Sequence, residues 1–220
     1  MAGSVPLPRR PLDAADPDDR VRGWYENELG WPTVPGRPVR LLVGERFDVL
    51  DVPAEAGHAA LGRLAPGSPV AAGGGRMRLL VAAGSAEELP GILQWLEWGA
   101  LPLDLTAIGP GGLMEAPLPP RPRTPPGPRA ALRPGPRAPL PPGSEVTPVQ
   151  EDDHSGPLQG AAVWVRPPVA GCEGEASLPA MPALGGTGDA PDLVRLVDTL
   201  ATHCHRVRLR RSRAQPLAFS

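Results

Sequence analysis

Three carboxylates raise the first chemical question in this chain. Asp48 and Asp51 lie in "FDVLDVP" (47–53), and Asp104 lies in "LDLTAIG" (103–109). Carboxylates gathered at the end of a strand can hold divalent cations, which stabilise the attacking and leaving oxygens of a phosphoryl transfer. Along a strand, side chains three residues apart point to opposite faces, so Asp48 and Asp51 cannot chelate one ion together. The residue that shares a face with Asp51 is residue 53, and it is proline. Asp51 with Asp104 is therefore the smallest candidate metal site, for Mg²⁺ or Mn²⁺. The plainer alternative is that Asp51 ends a strand and Asp104 caps a turn.

A second candidate is the run Gly73–Gly75 followed by Arg76 and Arg78. Backbone N–H groups freed by Gly74 and Gly75, with two guanidinium groups, suit a phosphate. The alternative is a tight turn between a helix and a strand. A third, "HCH" at 203–205, is weaker. On a helix His203, Cys204 and His205 project about 100° apart, so they cannot form one metal site.

These residues need elements to position them. Residues 17–29 read as a helix, with Asp16 as its cap, Pro17 at its first position and Gly30 as its stop. Residues 39–44 and 47–52 read as strands, and Pro53 opens a helix over 54–64. The glycine run leads into a buried strand over 73–83. "SAEELPGILQWLEWG" (85–99) reads as a helix with a Ser85/Glu88 capping box and Gly99 as its stop. Residues 101–117 read as a strand, a glycine turn and a second strand. Beyond them, 161–168 is a further strand. A last helix follows, capped by Asp189, with Leu193, Val197, Leu200, Ala201 and Cys204 on its apolar face. Together these predict an α+β domain with a small sheet and flanking helices.

Composition sets the boundaries. The chain has 220 residues, 33 prolines, 27 glycines and eight aromatic residues, and all 22 of its bases are arginine. That much proline and glycine without a collagen period marks low-complexity segments. The division expected is a disordered N-terminus (1–16), an ordered domain (17–117), a Pro/Arg-rich linker (118–160), a strand-helix element (161–211) and a tail (212–220). The linker carries five arginines and no acid between 117 and 144, in polyproline II composition. It suits weak, salt-sensitive contact with phosphates, or recognition by an aromatic groove on a protein partner. The C-terminal helix is expected to fold back on the sheet or to dock on another protein. Two cysteines make no disulfide framework. No apolar run approaches the roughly 18 residues that would span a bilayer, and the chain is expected to be cytoplasmic.

Several segments in order resemble the N-terminal domain of the bifunctional DNA primase/polymerase (prim-pol) family, in a short version from high-GC bacteria. They are "GWPTVPG" (30–36), "LLVGERFDVLDVPAEAGHAAL" (41–61), "GGGRMRLLVAAGSAEELPGILQWLEWG" (73–99) and "LDLTAIGPGGLMEAP" (103–117). The resemblance covers roughly residues 20–120. It implies an RRM-like, primase-type sheet with three catalytic elements. The first is a strand ending in Asp-x-Asp, here Asp51-Val52-Pro53, without the second acid. The second is a glycine-rich turn leading to a histidine that contacts nucleotide phosphates, and Met77 stands at that histidine's place. The third is an aspartate on a later strand, matched by Asp104. A thioether donates no hydrogen bond to phosphate.

Three readings follow. The leading one is a catalytically degenerate prim-pol-like domain that binds nucleotide or nucleic acid. The second is an active nucleotidyltransferase using Asp51, Asp104 and a non-standard ligand. The third is a protein-interaction scaffold that has lost nucleotide binding.

Overall fold

The computed structural model describes residues 16–65, 67–120, 162–168, 178–181 and 192–214. The expected disordered N-terminus, nearly all of the Pro/Arg-rich linker, and Asp189 lie outside the described residues. The described residues up to Pro119 and from Ala162 onward belong to one compact unit. Its architecture is α+β.

Helix α1 (Pro17–Gly23) starts as the sequence predicts. Asp16 accepts a hydrogen bond from the Asp18 N–H at 2.9 Å, and Pro17 occupies the first turn. The helix continues as a π-helical turn over Trp24–Leu29, and Gly30 closes it in the left-handed conformation. Strands β1 (Thr33–Val34), β2 (Arg40–Leu42) and β3 (Asp48–Pro53) follow. Pro53 opens α2 (Ala54–Ala60), which tightens into a 3₁₀ turn at Leu61–Arg63. Then come β4 (Val70–Gly73), β5 (Arg76–Val81), α3 (Ser85–Trp95), β6 (Thr106–Ile108) and β7 (Leu113–Glu115). Strand β8 (Val163–Arg166) and helix α4 (Leu193–Ala214) complete the described elements.

The main sheet is antiparallel, in the order β6-β3-β5-β4-β8. Its first four members, with α2 and α3, run β3-α2-β4-β5-α3-β6. That is the βαββαβ pattern of ferredoxin-like sheets, which the four-stranded RRM sheet shares. Strand β8 is added at the outer edge of β4. A second, three-stranded sheet has the order β1-β2-β7.

The main sheet separates two apolar layers. Leu50, Val52, Met77, Leu79 and Val81 face α2, α3 and α4. Val49, Leu80 and Ala71 face the small sheet and α1, with Tyr25, Trp31 and Phe47 between them. Strand alternation thus delivers a buried side chain to each layer. Tyr25 ties the second layer together. Its hydroxyl donates to the Pro117 carbonyl at 2.7 Å and accepts from the Trp164 indole at 3.0 Å. Burial pushes its phenol well above the usual tyrosine range.

Four expectations need correction. Gly74 and Gly75 do not lead from a helix into a strand. They form a two-residue hairpin turn between β4 and β5, with φ of 59° and 74° and Gly73 paired to Arg76. Two successive positive φ angles define the type I′ turn, which glycine adopts at no steric cost. The Ser85/Glu88 capping box does not form either. The N-cap is Gly84, Ser85 is buried, and the Asp48 carboxylate accepts the Ala86 N–H at 2.8 Å. A carboxylate from a distant strand therefore serves the positive end of α3. The same helix ends at Trp95 rather than Gly99. Glu97 takes the left-handed position (φ 64°), while the Trp98 and Glu97 N–H groups reach back to Leu93 and Gln94. That is a Schellman closure with glutamate where glycine is usual. Finally, β6 and β7 do not pair with each other: β6 joins β3 and β7 joins β2.

Helix α4 is capped by Asp192, which accepts the Val194 and Arg195 N–H groups. The five apolar positions read from the sequence are buried, joined by Leu196 and Val207. Among the described residues no helix is long and apolar enough to cross a membrane.

Candidate functional site

Strand β3 presents Asp51 beside Arg78 of β5, and Arg76 lies two residues further on the same face. Asp104 sits in the bend that precedes β6, the other neighbour of β3. The sheet register therefore gathers four of the residues singled out in the sequence: Asp51, Arg76, Arg78 and Asp104.

Their arrangement is an ion-pair cluster. Arg76 Nε donates to Asp51 Oδ1 at 2.5 Å, and Arg76 Nη1 donates to Asp104 Oδ1 at 2.6 Å. Arg76 Nη2 also reaches the Asp51 carbonyl at 3.1 Å. Arg78 Nε takes the other oxygen of Asp51 at 3.2 Å. Arg211, near the end of α4, lies 3.8 Å from Asp104 Oδ2. Burial works against the charge on Arg76, but the hydrogen bonds to Asp104 and Asp51 outweigh it and hold its pKa above the ordinary arginine value.

The two carboxylates do not fit a divalent cation in this arrangement. Both oxygens of Asp51 accept from guanidinium groups, and a planar guanidinium fills the space between Asp51 and Asp104. A metal would have to displace Arg76, and the next face-sharing position is Pro53. Among the described residues no group of three or more His, Cys, Asp or Glu side chains is placed to hold a metal ion.

Met77 falls on the opposite face from this cluster. It is fully buried and packs against Gly57 of α2, where an added Cβ would collide with its Sδ. The side chains of β5 beside Asp51 are thus the two arginines that flank it. Gly74 and Gly75 form the hairpin turn at the head of that strand, and nothing lies within 4 Å of where their Cβ atoms would be. Asp48 is fully buried on the helix face, with Oδ1 unpartnered. The prediction that it faces away from Asp51 agrees with the observed partners.

Helix α4 folds back on the sheet and brings arginines that no sequence signal assigns to this site. Arg208 donates to the Pro102 carbonyl at 2.7 Å, and Arg210 pairs with Glu55 of α2. Arg208, Arg211 and Asp104 border a cavity of about 460 Å³ floored by Pro102, Leu103, Cys204 and Val207. Two guanidinium groups (Arg208, Arg211) and one carboxylate (Asp104) thus stand on the cavity, and Asp104 joins it to the Asp51–Arg76–Arg78 ion pairs. The arginine run at 206–211 was the available signal, but nothing local says that it returns to Asp104. Cys204 lies at the cavity floor with its thiol 3.5 Å from the Asp104 carbonyl oxygen. Burial, then the nearby Asp104 charge, push that thiol up to about 12. His203 and His205 diverge from it, and His205 stands beside Trp98.

Set against protein-family models, curated proteins and solved structures, the chain matches none of them.

Proposed function

We propose that this chain is a prim-pol-like domain that no longer synthesises nucleic acid and binds the phosphates of nucleotide or nucleic acid without a metal. The reading carries a cytoplasmic setting. It is supported at the level of fold by the βαββαβ order, which sets the strand of Asp51, the strand of Arg76 and Arg78, and the stretch before β6 close together. Fold alone does not imply function.

The observation that carries the proposal is the position of Arg76 between Asp51 and Asp104. A guanidinium there supplies the positive charge that a metal would supply, but it offers no open coordination position to polarise a phosphoryl oxygen. What remains is recognition. Arg208 and Arg211 stand at a cavity whose floor is largely apolar, a combination that suits a phosphate with a base beside it.

The test is fluorescence anisotropy of a labelled 20-nucleotide single strand at low salt, in EDTA and in Mn²⁺. Binding should be equal in both, should fall steeply with salt, and should weaken in Arg208→Ala/Arg211→Ala. Primer extension abolished by Asp51→Ala would show the second reading, an active nucleotidyltransferase. Absence of binding under every condition would show the third, an interaction scaffold.

A further inference from the structure

Directly after Arg78 the chain runs through a stretch with no base at all. Residues 79–120 contain five acids and neither arginine nor lysine. Helix α3 stands in this stretch, and its outer face is unusual in one respect. Trp95 is 74% exposed, the largest exposure among the large apolar side chains described. It borders a groove of about 520 Å³ lined by Glu88, Gly91, Ile92, Trp95, Met181 and Val194.

The walls of the groove are held by backbone bonds. Asp192, at the head of α4, forms a bridge with Ala180, and the Leu193 N–H donates to the Ala180 carbonyl at 3.1 Å. The Pro179 carbonyl accepts from the Ala82 N–H at 2.9 Å. Met181, itself 42% exposed, follows directly on these bonds and lines the groove with Trp95. Gly91 leaves the floor open between Glu88 and Trp95, one turn of α3 to either side. The α3 wall is acidic: Glu88 lines the groove, Glu87 is exposed beside it on the same helix, and neither is in an ion pair among the described residues.

We propose that this groove docks a proline- and arginine-rich segment of a partner protein in polyproline II conformation. A proline ring lies flat on an indole, and the three-residue repeat of that helix returns a ring to the same face every turn. Arginines between the prolines reach Glu87 and Glu88 with charge-assisted hydrogen bonds, or stack on Trp95. A neutral apolar ligand would leave the acidic wall unused, and an acidic one would be repelled by it.

The experiment uses the full chain and synthetic peptides, with tryptophan emission and anisotropy as readouts. The probe is PPRPPRPPR; the controls are PPEPPEPPE, GGRGGRGGR and an amphipathic arginine-rich helix. The proline-arginine peptide should bind saturably and perturb the emission, and both controls of altered charge or altered backbone should bind at least about tenfold more weakly. Trp95→Ser, a change at an exposed position, should leave the melting curve intact and abolish the emission change and the binding. Glu87→Gln/Glu88→Gln should weaken binding about tenfold. The proposal is overturned if the peptide does not bind, if it binds Trp95→Ser equally, or if GGRGGRGGR equals it. Tighter binding of the amphipathic helix overturns it too, and assigns the groove to a helical partner.

Discussion

Arg76 reaches Asp104 Oδ1 at 2.6 Å with one terminal nitrogen while its Nε holds Asp51 Oδ1 at 2.5 Å. One guanidinium thus joins a carboxylate from the main strand β3 to a carboxylate from the bend before β6. The two acids are not equivalent. Asp51 has 13% of its side chain exposed and holds two arginines at 2.5 and 3.2 Å, whereas Asp104 is 45% exposed and holds Arg76 at 2.6 Å and Arg211 only at 3.8 Å.

That difference predicts different costs of removal. Asp51→Ala leaves two partly buried guanidinium groups short of a partner and should destabilise the fold by about 1–3 kcal/mol. Asp104→Ala removes a solvent-screened pair and should cost less than about 1 kcal/mol. Urea denaturation followed by circular dichroism separates the two. Equal losses would mean that Asp51 is as solvated as Asp104.

Cys204 gives a pH prediction whose sign follows from its burial. The thiol of the unfolded chain loses its proton near 9.0, and the folded one keeps it up to about 12. Between those values the folded state binds more protons, so stability should fall as pH rises above 9 and should be unaffected by this group below it. In the native protein at pH 8, iodoacetamide should leave the peptide containing Cys204 unlabelled, and should label it rapidly in urea. Mass spectrometry of that peptide decides the matter.

Glu97 occupies a backbone conformation that costs an L-residue about 1–2 kcal/mol. Glu97→Gly should relieve part of this and raise stability by about 0.5–1 kcal/mol. A lower melting temperature would show that α3 does not close in the left-handed turn described.

Tyr25 offers a test of the second layer. Tyr25→Phe removes the hydroxyl that links the Pro117 carbonyl to the Trp164 indole, leaving both without it. The expected loss is about 1–3 kcal/mol, read as a lower denaturation midpoint with an unchanged slope.

Local signals in the sequence identified local structure well. Asp16, Pro17 and Gly30 mark the start and stop of the first helical segment because capping and left-handed closure involve only neighbouring residues. Alternation alone separated Asp48 from Asp51. What escaped depends on register between distant segments. The cap of α3 comes from Asp48, 38 residues away. Gly74-Gly75 between two apolar runs is a hairpin signal, but the run before it, Val70-Ala71-Ala72, is too short and too poor in β-branched residues to read as a strand by itself. The alternation Arg76-Met77-Arg78 shows that the two arginines share a face. Only the pairing of β5 with β3 shows that this is the face of Asp51. The return of Arg208 and Arg211 to the Pro102–Asp104 stretch bridges about half the chain and left no local trace.

The central claim is that Arg76 stands where a cation would otherwise be held, and titration with Mn²⁺ by isothermal calorimetry tests it most directly. The wild-type chain should show no binding that depends on Asp51, and Arg76→Ala should gain a weak site that disappears when Asp51 is also replaced by alanine. Stoichiometric Mn²⁺ binding by the wild type, lost in Asp51→Ala, would contradict it.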